Sequence, residues 1–197
     1  MPTDHETFSS PAPIRRRQAV EVFSNRFGQL YNDDVVSPGG LPGTYLRWQW
    51  AQRGVVVVPV GPGGMALVPT YRYPVGASSL EFPRGGCEPG ERPEKAAARE
   101  LWEEAGLEAS SVRAIGLLHA DTGLIETGIH VCCASVLPGE REAARPESME
   151  SVAAPVWVSQ DEMLELVRLG RISCSLTIAA FTLVAADRNA LPPVARG

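Results

Sequence analysis

Apolar and polar positions alternate in short stretches along much of the chain, which is the pattern of β-strands. The run Val55-Val56-Val57-Val58 is unbroken and predicts a strand buried on both faces. Strands are predicted at 19–23, 28–36, 44–50, 53–60, 65–71, 112–119, 129–137 and 155–158. Helices are predicted between Pro93 and Gly106, from the capping residue Ser159 to about Arg168, and over 175–187. Strands with one helix in the middle and two at the end indicate an α/β layered sandwich.

The order of these elements divides the chain into three parts. Residues 1–18 contain little that could form a core and are predicted to be a flexible tail. Residues 19–50 are predicted to form a small antiparallel sheet, and residues 51–190 the main domain. The basic run Arg15-Arg16-Arg17 leaves open an RNA-binding arm as the alternative to a plain tail. Residues 138–153, rich in Glu, Arg, Ala and Pro, are predicted to be an exposed excursion.

Composition narrows the class of protein. The formal net charge of -5 argues against a protein that binds nucleic acid by releasing counterions from phosphates. No apolar run approaches the roughly 20 residues that span a bilayer, and the amino terminus lacks the apolar core of a signal peptide. The four cysteines have no paired metal-ligand spacing and are expected to be reduced and mostly buried. We therefore expect a cytoplasmic protein without membrane or nucleic-acid partners.

The segment from Gly85 to Leu107 holds the candidate chemistry. Its glycines, acids and arginine have the spacing G-x5-E-x7-R-E-U-x-E-E-x-G-U, in which U is a bulky aliphatic residue. The fixed positions are Gly85, Glu91, Arg99, Glu100, Leu101, Glu103, Glu104, Gly106 and Leu107.

Within the predicted helix, Glu100, Glu103 and Glu104 lie three and four residues apart, so their carboxylates share one face. Pro93 suits the first turn of this helix, and Gly106 suits the left-handed position just after its end. Carboxylates so close together repel one another, and a hard divalent cation such as Mg²⁺ or Mn²⁺ would neutralise them and recruit phosphate oxygens. The alternative is a solvated acidic face, which would not need the flanking glycines and Arg99.

This pattern resembles the Nudix box, the signature of hydrolases that cleave a nucleoside diphosphate linked to another moiety. The resemblance implies a Nudix-type α/β/α sandwich with a mixed sheet. The Y-R-Y-P stretch at Arg72, the E-F-P-R-G-G approach to the box and the preceding small sheet are similar to the ADP-ribose pyrophosphatase branch. That branch implies ADP-ribose or a related nucleoside diphosphate sugar as substrate. It also implies a homodimer in which the amino-terminal sheet of one subunit helps to cover the nucleotide of the other.

The resemblance also implies a role for each matching residue. Glu103 and Glu104 would bind metal, Glu100 would bind metal or orient water, and the Gly85 carbonyl would be a further ligand. In the box, Arg99 and Glu91 would form an ion pair that holds the loop to the helix, which Gly106 ends. The residues expected to bind substrate are Arg72, at the diphosphate, Arg84, and Tyr45, by base stacking.

Two departures from the branch concern the loop after the box. Thr122 stands where the branch usually has proline, and the glutamate expected to help to activate water aligns with Thr127. Glu126, one residue earlier, is one candidate for that role, and Glu100 is the other. The missing loop glutamate also supports the alternative of a Nudix-like module that binds nucleotide sugars as a sensor without hydrolysing them.

Overall fold

The computed structural model describes residues 9–137, 144–145 and 149–187. Contacts along the chain divide these residues into two compact units. The N-terminal unit comprises residues 9–51 together with 123–126, and the main domain comprises the remaining described residues.

Four antiparallel strands form the N-terminal unit: β1 (Arg15–Gln18), β2 (Glu21–Asn25), β3 (Gly28–Val36) and β4 (Pro42–Trp50). Strand β3 pairs with each of the other three. A glycine is needed where β3 begins, because a Cβ on Gly28 would overlap the Gln49 carbonyl and the Trp48 ring. The sequence prediction of a small antiparallel sheet before the main domain is confirmed.

The predicted tail differs from the structure at its carboxyl end. Residues 15–18 form β1, in which Arg15 is the partner of Val36 and Arg16 the partner of Val35. All four side chains of β1 are exposed, so backbone hydrogen bonding rather than an apolar face holds the strand, and its sequence has no apolar pattern. Residues 1–8 of that tail lie outside the described residues.

A seven-stranded mixed sheet forms the centre of the main domain, with the order β11-β6-β5-β10-β9 and with β7 paired to β6 and β8 to β5. Strands β5 and β10 run parallel, and the other pairs are antiparallel. The strands are β5 (Gly54–Gly61), β6 (Gly64–Arg72), β7 (Ala77–Glu81), β8 (Arg84–Gly86), β9 (Ala109–Leu118), β10 (Ile129–Val136) and β11 (Val156–Val158).

Helices pack on both faces of this sheet: α1 (Pro93–Ala105), α2 (Gln160–Arg168) and α3 (Ser175–Ala186). The apolar run of β5 divides between two cores. Val55 and Val57 belong to the cluster that contains Leu101 of α1, whereas Val56 and Val58 belong to the cluster with Phe181 of α3. Each fully buried valine contributes about 1.5 kcal/mol or more of hydrophobic stabilisation, so β5 joins both layers. The predicted α/β/α sandwich with a mixed sheet is confirmed.

The sequence predicts no strand between the one that ends at 71 and the box helix, so β7 and β8 are additional to the predicted strands. β7 contains a single large apolar residue, Leu80, and β8 has only three residues, so neither has an apolar pattern. β7 forms by pairing with β6, and β8 forms by pairing with β5. Among the described residues, no helix is long and apolar enough to cross a membrane.

Candidate active site

Helix α1 and the turn before it are held together by Arg99. Its guanidinium donates to both carboxylate oxygens of Glu91, at 3.4 and 3.1 Å, and to the Gly86 carbonyl at 2.7 Å. It also donates to Glu100 at 2.8 Å and to Glu103 at 3.0 Å. The predicted ion pair with Glu91 is therefore present. Gly106 ends the helix with a φ of 64°, in the left-handed region that favours glycine.

Three carboxylates converge beside α1. Oxygens of Glu100, Glu104 and Glu150 all lie within 4.8 Å of one another. Glu100 and Glu104 are only 5% and 3% exposed. The first two come from the box and the third from the segment after β10, which the sequence did not indicate. Three carboxylate oxygens so close together fit a hard divalent cation.

Burial sets the protonation of these acids. It raises the pKa of Glu100 to about 7, against the opposing effect of Arg99 and with further increases from Glu103 and Glu150. It raises the pKa of Glu104 to about 8, where the backbone hydrogen bond from Arg84 opposes it and the charges of Glu150 and Glu100 add to it. Near neutral pH Glu104 is therefore mostly protonated and Glu100 partly so, and a positive charge that enters the cluster favours the ionised form of both.

The turn from β7 to β8 closes over the two box acids. The Arg84 backbone N–H donates to Glu104 at 3.0 Å. Gly85 packs directly on the Glu100 carboxylate, and a Cβ built on Gly85 would overlap that group. A glycine is thus required at position 85 by close approach, and this approach brings the box loop to the acids that the sequence predicted as metal ligands.

Glu103 has a different environment from Glu100 and Glu104. Its carboxylate pairs with Arg99, four residues earlier on α1, and its backbone carbonyl accepts a hydrogen bond from the Arg145 N–H at 2.8 Å. Arg99 also pairs with Glu100, so what distinguishes the Glu103 side chain is its exposure, 31% against 7% for Glu100. The structure therefore brings together two of the three predicted helix acids in the cluster with Glu150.

Glu150 is positioned by β6. The Tyr71 N–H donates to the Ser151 carbonyl, and the Ala153 N–H donates to the Pro69 carbonyl, both at 2.9 Å. These bonds align the residues after Glu150 along the edge of the main sheet. Glu150 lies in an acid-rich excursion of low apolar content, and no periodicity there distinguishes one glutamate from another. The hydrogen bonds of residues 151 and 153 to β6 are what position Glu150.

Glu126 lies in the N-terminal unit, where it forms an ion pair with Arg47. Its side chain is 50% exposed. The same Arg47 donates to Asp33 at 2.6 Å and lies over the Tyr31 ring. Tyr45, predicted to stack on a base, is 40% exposed and lines a cavity of about 590 Å³ together with Arg47 and Glu126.

Arg72 and Arg84, predicted to bind substrate, meet in the main domain. Both line a second cavity of about 290 Å³, and both pair with Glu81, at 2.8 and 2.9 Å. The Arg84 backbone binds Glu104, so this basic cavity adjoins the acidic cluster. An arginine pair next to a cation site is suited to a phosphorylated ligand.

Most of this chain is similar to a known protein family. The family model for the NUDIX domain matches residues 50–173 of this chain. The chain belongs to the NUDIX family. It is 29% identical over 160 residues to the methanol dehydrogenase activator of Bacillus methanolicus, and the aligned region covers 81% of this chain and 86% of that protein. It is 30% identical over 150 residues to the ADP-ribose pyrophosphatase of Bacillus subtilis, and the aligned region covers 75% of this chain and 79% of that enzyme.

A solved structure has the same fold. The crystal structure of an ADP compounds hydrolase matches with a TM-score of 0.76 at 21% identity, and the match covers 90% of this chain and 95% of that one. The predicted Nudix hydrolase, with its resemblance to the ADP-ribose pyrophosphatase branch, is confirmed. The segment from Gly85 to Leu107 lies within the residues that the family model matches.

The raised pKa values of the box acids predict how stability depends on pH. Glu100 and Glu104 have folded-state pKa values of about 7 and about 8, above their ordinary value of 4.5. Their contribution to stability is therefore fully present below about pH 4.5 and is lost as pH rises through 7 and 8. In metal-free buffer we expect the melting temperature to fall as the pH rises from about 5 to about 8. Added Mg²⁺ should raise the melting temperature more at pH 8 than at pH 5.

Glu104→Gln is the matched variant for this test, because it keeps the shape of the side chain and removes one titration. Calorimetry at several pH values should give a shallower slope in Glu104→Gln than in the unchanged protein. Equal slopes would show that Glu104 does not titrate in the way its burial requires.

Proposed function

We propose that this Nudix hydrolase uses a divalent cation, Mg²⁺ or Mn²⁺, to hydrolyse the diphosphate of ADP-ribose or a related nucleoside diphosphate sugar. The observation that carries the proposal is the meeting of Glu100, Glu104 and Glu150 within 4.8 Å beside the cavity that contains Arg72 and Arg84. The match to the ADP-ribose pyrophosphatase of Bacillus subtilis supports the choice of substrate.

The residues of the box hold the cation and the loop around it. Glu100 and Glu104 bind the ion, and the Gly85 carbonyl and Glu103 complete the predicted ligand set. When bound, the ion supplies positive charge that draws phosphate oxygens to the cluster and favours a hydroxide nucleophile near neutral pH. Arg99 restrains the acids on one side, through Glu100 and Glu103.

The arginines and one carboxylate act on the substrate. Arg72 and Arg84 hold the phosphates, because a guanidinium presents a planar set of donors to an oxyanion. A carboxylate takes the proton of the attacking water, and we assign that role to Glu150. Glu150 lies within the cluster, whereas the Glu126 side chain pairs with Arg47 in the N-terminal unit.

This assignment bears on the sensor alternative. The sequence favoured a sensor only through the missing loop glutamate, and Glu150 supplies a third acid from a different segment. A binding module would gain nothing from three acids kept close at a cost in repulsion. The observations therefore favour hydrolysis.

The substrate assignment is tested with a panel of nucleoside diphosphate compounds, ADP-ribose among them, in Mg²⁺ or Mn²⁺. The expected products are a nucleoside monophosphate and a sugar phosphate, and chelation of the metal should abolish turnover. Glu104→Gln should lower kcat by orders of magnitude while the protein stays folded in metal-free buffer, because the amide keeps the size of the side chain and removes the negative charge that would hold the ion. Near-normal turnover in Glu104→Gln would contradict the metal site.

A second pair of variants decides which loop acid accepts the proton. Glu150→Gln should lower kcat by about a hundredfold, the usual scale for a positioned general base, with little change in KM. Glu126→Gln should change kcat far less. The reverse result would give the role to Glu126, one of the two candidates that the sequence offered. Loss of activity in Glu100→Gln with full activity in both loop variants would give it to Glu100, the other candidate.

We also propose that the N-terminal unit forms a homodimer interface and that Tyr45 stacks on the nucleotide base of the other subunit. The unit exposes more apolar surface than a lone edge sheet usually leaves in water. Among the described residues, its exposed large apolar side chains are Ile14, Val22, Phe23, Phe27, Leu41, Tyr45, Leu46, Trp50 and Leu124. A cytoplasmic location and a small nucleotide as the partner belong to the same proposal.

Light scattering at micromolar concentration should give the mass of a dimer. Phe23→Glu should shift the protein toward monomer, because a charge would be buried in the interface. Leu169→Glu is the matched control, since Leu169 is a similarly exposed apolar residue of the main domain. A monomeric mass for the unchanged protein would remove both the dimer and the stacking role of Tyr45.

A further inference from the structure

A buried glutamate outside the box joins the two arginines of the main-domain cavity. Glu81, at the end of β7, is 2% exposed. Its Oε2 accepts hydrogen bonds from Arg72 Nε at 3.1 Å and Arg72 Nη2 at 2.8 Å, and it lies 2.9 Å from Arg84 Nη2. Its Oε1 accepts a hydrogen bond from the Ser79 hydroxyl at 2.8 Å. One carboxylate is therefore held from three sides.

The shared oxygen brings two positive charges close together. Two guanidinium groups repel each other, and they meet here because both bind the same atom of Glu81. Burial alone would raise the pKa of Glu81, but the hydrogen bonds from Arg72 and Ser79 and the charges of both arginines lower it below its ordinary value. Glu81 is thus an anion that fixes the spacing of Arg72 and Arg84.

The pair has donor capacity that Glu81 does not use. Within the part of the chain that the structure describes, Arg84 Nε is buried and has no hydrogen-bond partner. Two arginines and one glutamate leave an excess of positive charge in the cavity, whose walls include the hydroxyl side chains of Ser78 and Ser175. Because the Arg84 backbone binds Glu104, this excess lies next to the acidic cluster. An oxyanion fits both the unused donor and the charge.

We propose that Glu81 is a positioning residue that holds Arg72 and Arg84 as a paired clamp for the diphosphate of the substrate. This inference rests on the proposed function, in which those arginines bind phosphate. Glu81 does not touch the substrate; it acts through the two guanidinium groups. A purely structural role, in which Glu81 only compensates buried positive charge, makes a different prediction.

Removal of the Glu81 charge separates the two roles. If Glu81 only compensates charge, Glu81→Gln leaves the cavity more positive, and anions should bind equally well or more tightly. If Glu81 positions the clamp, the two arginines separate by mutual repulsion once the shared oxygen loses its charge. Anions should then bind more weakly although the cavity is more positive. The sign of the change therefore decides between the roles.

The first readout is kinetic, with ADP-ribose and saturating Mg²⁺. Glu81→Gln should raise KM by about tenfold, because a displaced binding group loses much of its effect, while kcat changes less. Glu165→Gln is the matched control, since Glu165 is an exposed acid of α2 that pairs only with its neighbour Arg168 among the described contacts. It should leave both constants unchanged. An unchanged or lower KM in Glu81→Gln would overturn the clamp.

The second readout does not need turnover. Calorimetric titration with inorganic pyrophosphate in EDTA should give a Kd about tenfold higher in Glu81→Gln, whereas Mn²⁺ binding followed by electron paramagnetic resonance should be unchanged. If the unchanged protein hydrolyses no nucleoside diphosphate compound, the proposed function fails, and this titration still tests the clamp. If the unchanged protein is active and the pyrophosphate Kd does not rise in the variant, the clamp alone fails.

Two further variants keep the test decisive. Arg84→Lys combined with Glu81→Gln should weaken pyrophosphate binding by less than the product of the single effects, because both changes break one unit. Simple multiplication of the effects would contradict the clamp. If Glu81→Gln does not fold, Ser79→Ala takes its place: loss of one hydrogen bond to Glu81 should raise the pyrophosphate Kd by about twofold to threefold, and no change would overturn the proposal.

Discussion

The ion pairs of Arg99 offset the repulsion among three glutamates on one face of α1. This single guanidinium contacts Glu91 before the helix, Glu100 and Glu103 on it, and the Gly86 carbonyl in the loop. Those contacts fix the box loop on the helix, and the loop in turn places Gly85 against Glu100 and the Arg84 backbone against Glu104. Two members of the acidic cluster, Glu100 and Glu104, are buried, and Arg99 gives Glu100 its counter-charge while the loop that Arg99 holds gives Glu104 its backbone hydrogen bond.

Like charges are brought together twice in the main domain, each time by a partner of opposite sign. Arg99 restrains the acids, and the Glu81 carboxylate restrains Arg72 and Arg84. Arg84 connects the two sets, since its backbone binds Glu104 and its side chain binds Glu81. A diphosphate with its cation has both kinds of charge within a few bond lengths, so adjacent acidic and basic sets are complementary to it. The fold supplies this adjacency by pairing β8 with β5, directly before α1.

The strand β5 provides the rigid base for these groups. Its valines enter both cores in alternation, so it cannot shift without disturbing the packing of α1 on one face and of α3 on the other. β8, which carries Arg84 and Gly85, pairs with this strand. Interactions of only a few kcal/mol at the site are thereby supported by burial that is much larger in sum.

Local sequence determined the box and the layers, and tertiary pairing decided the rest of the site. Pro93, Gly106 and the spacing of the acids define a helix with its carboxylates on one face, because helical period and end signals act within a few residues. The valine run likewise predicts its strand unaided. β1 has no apolar face, and Glu150 lies among similar acids, so only pairing with β3 and β6 distinguishes them. Glu81 has its partners only two to nine residues away, but Arg72 reaches it because β7 pairs back on β6. The partners of Glu126 and Glu150 are distant in sequence, and no local pattern encodes them.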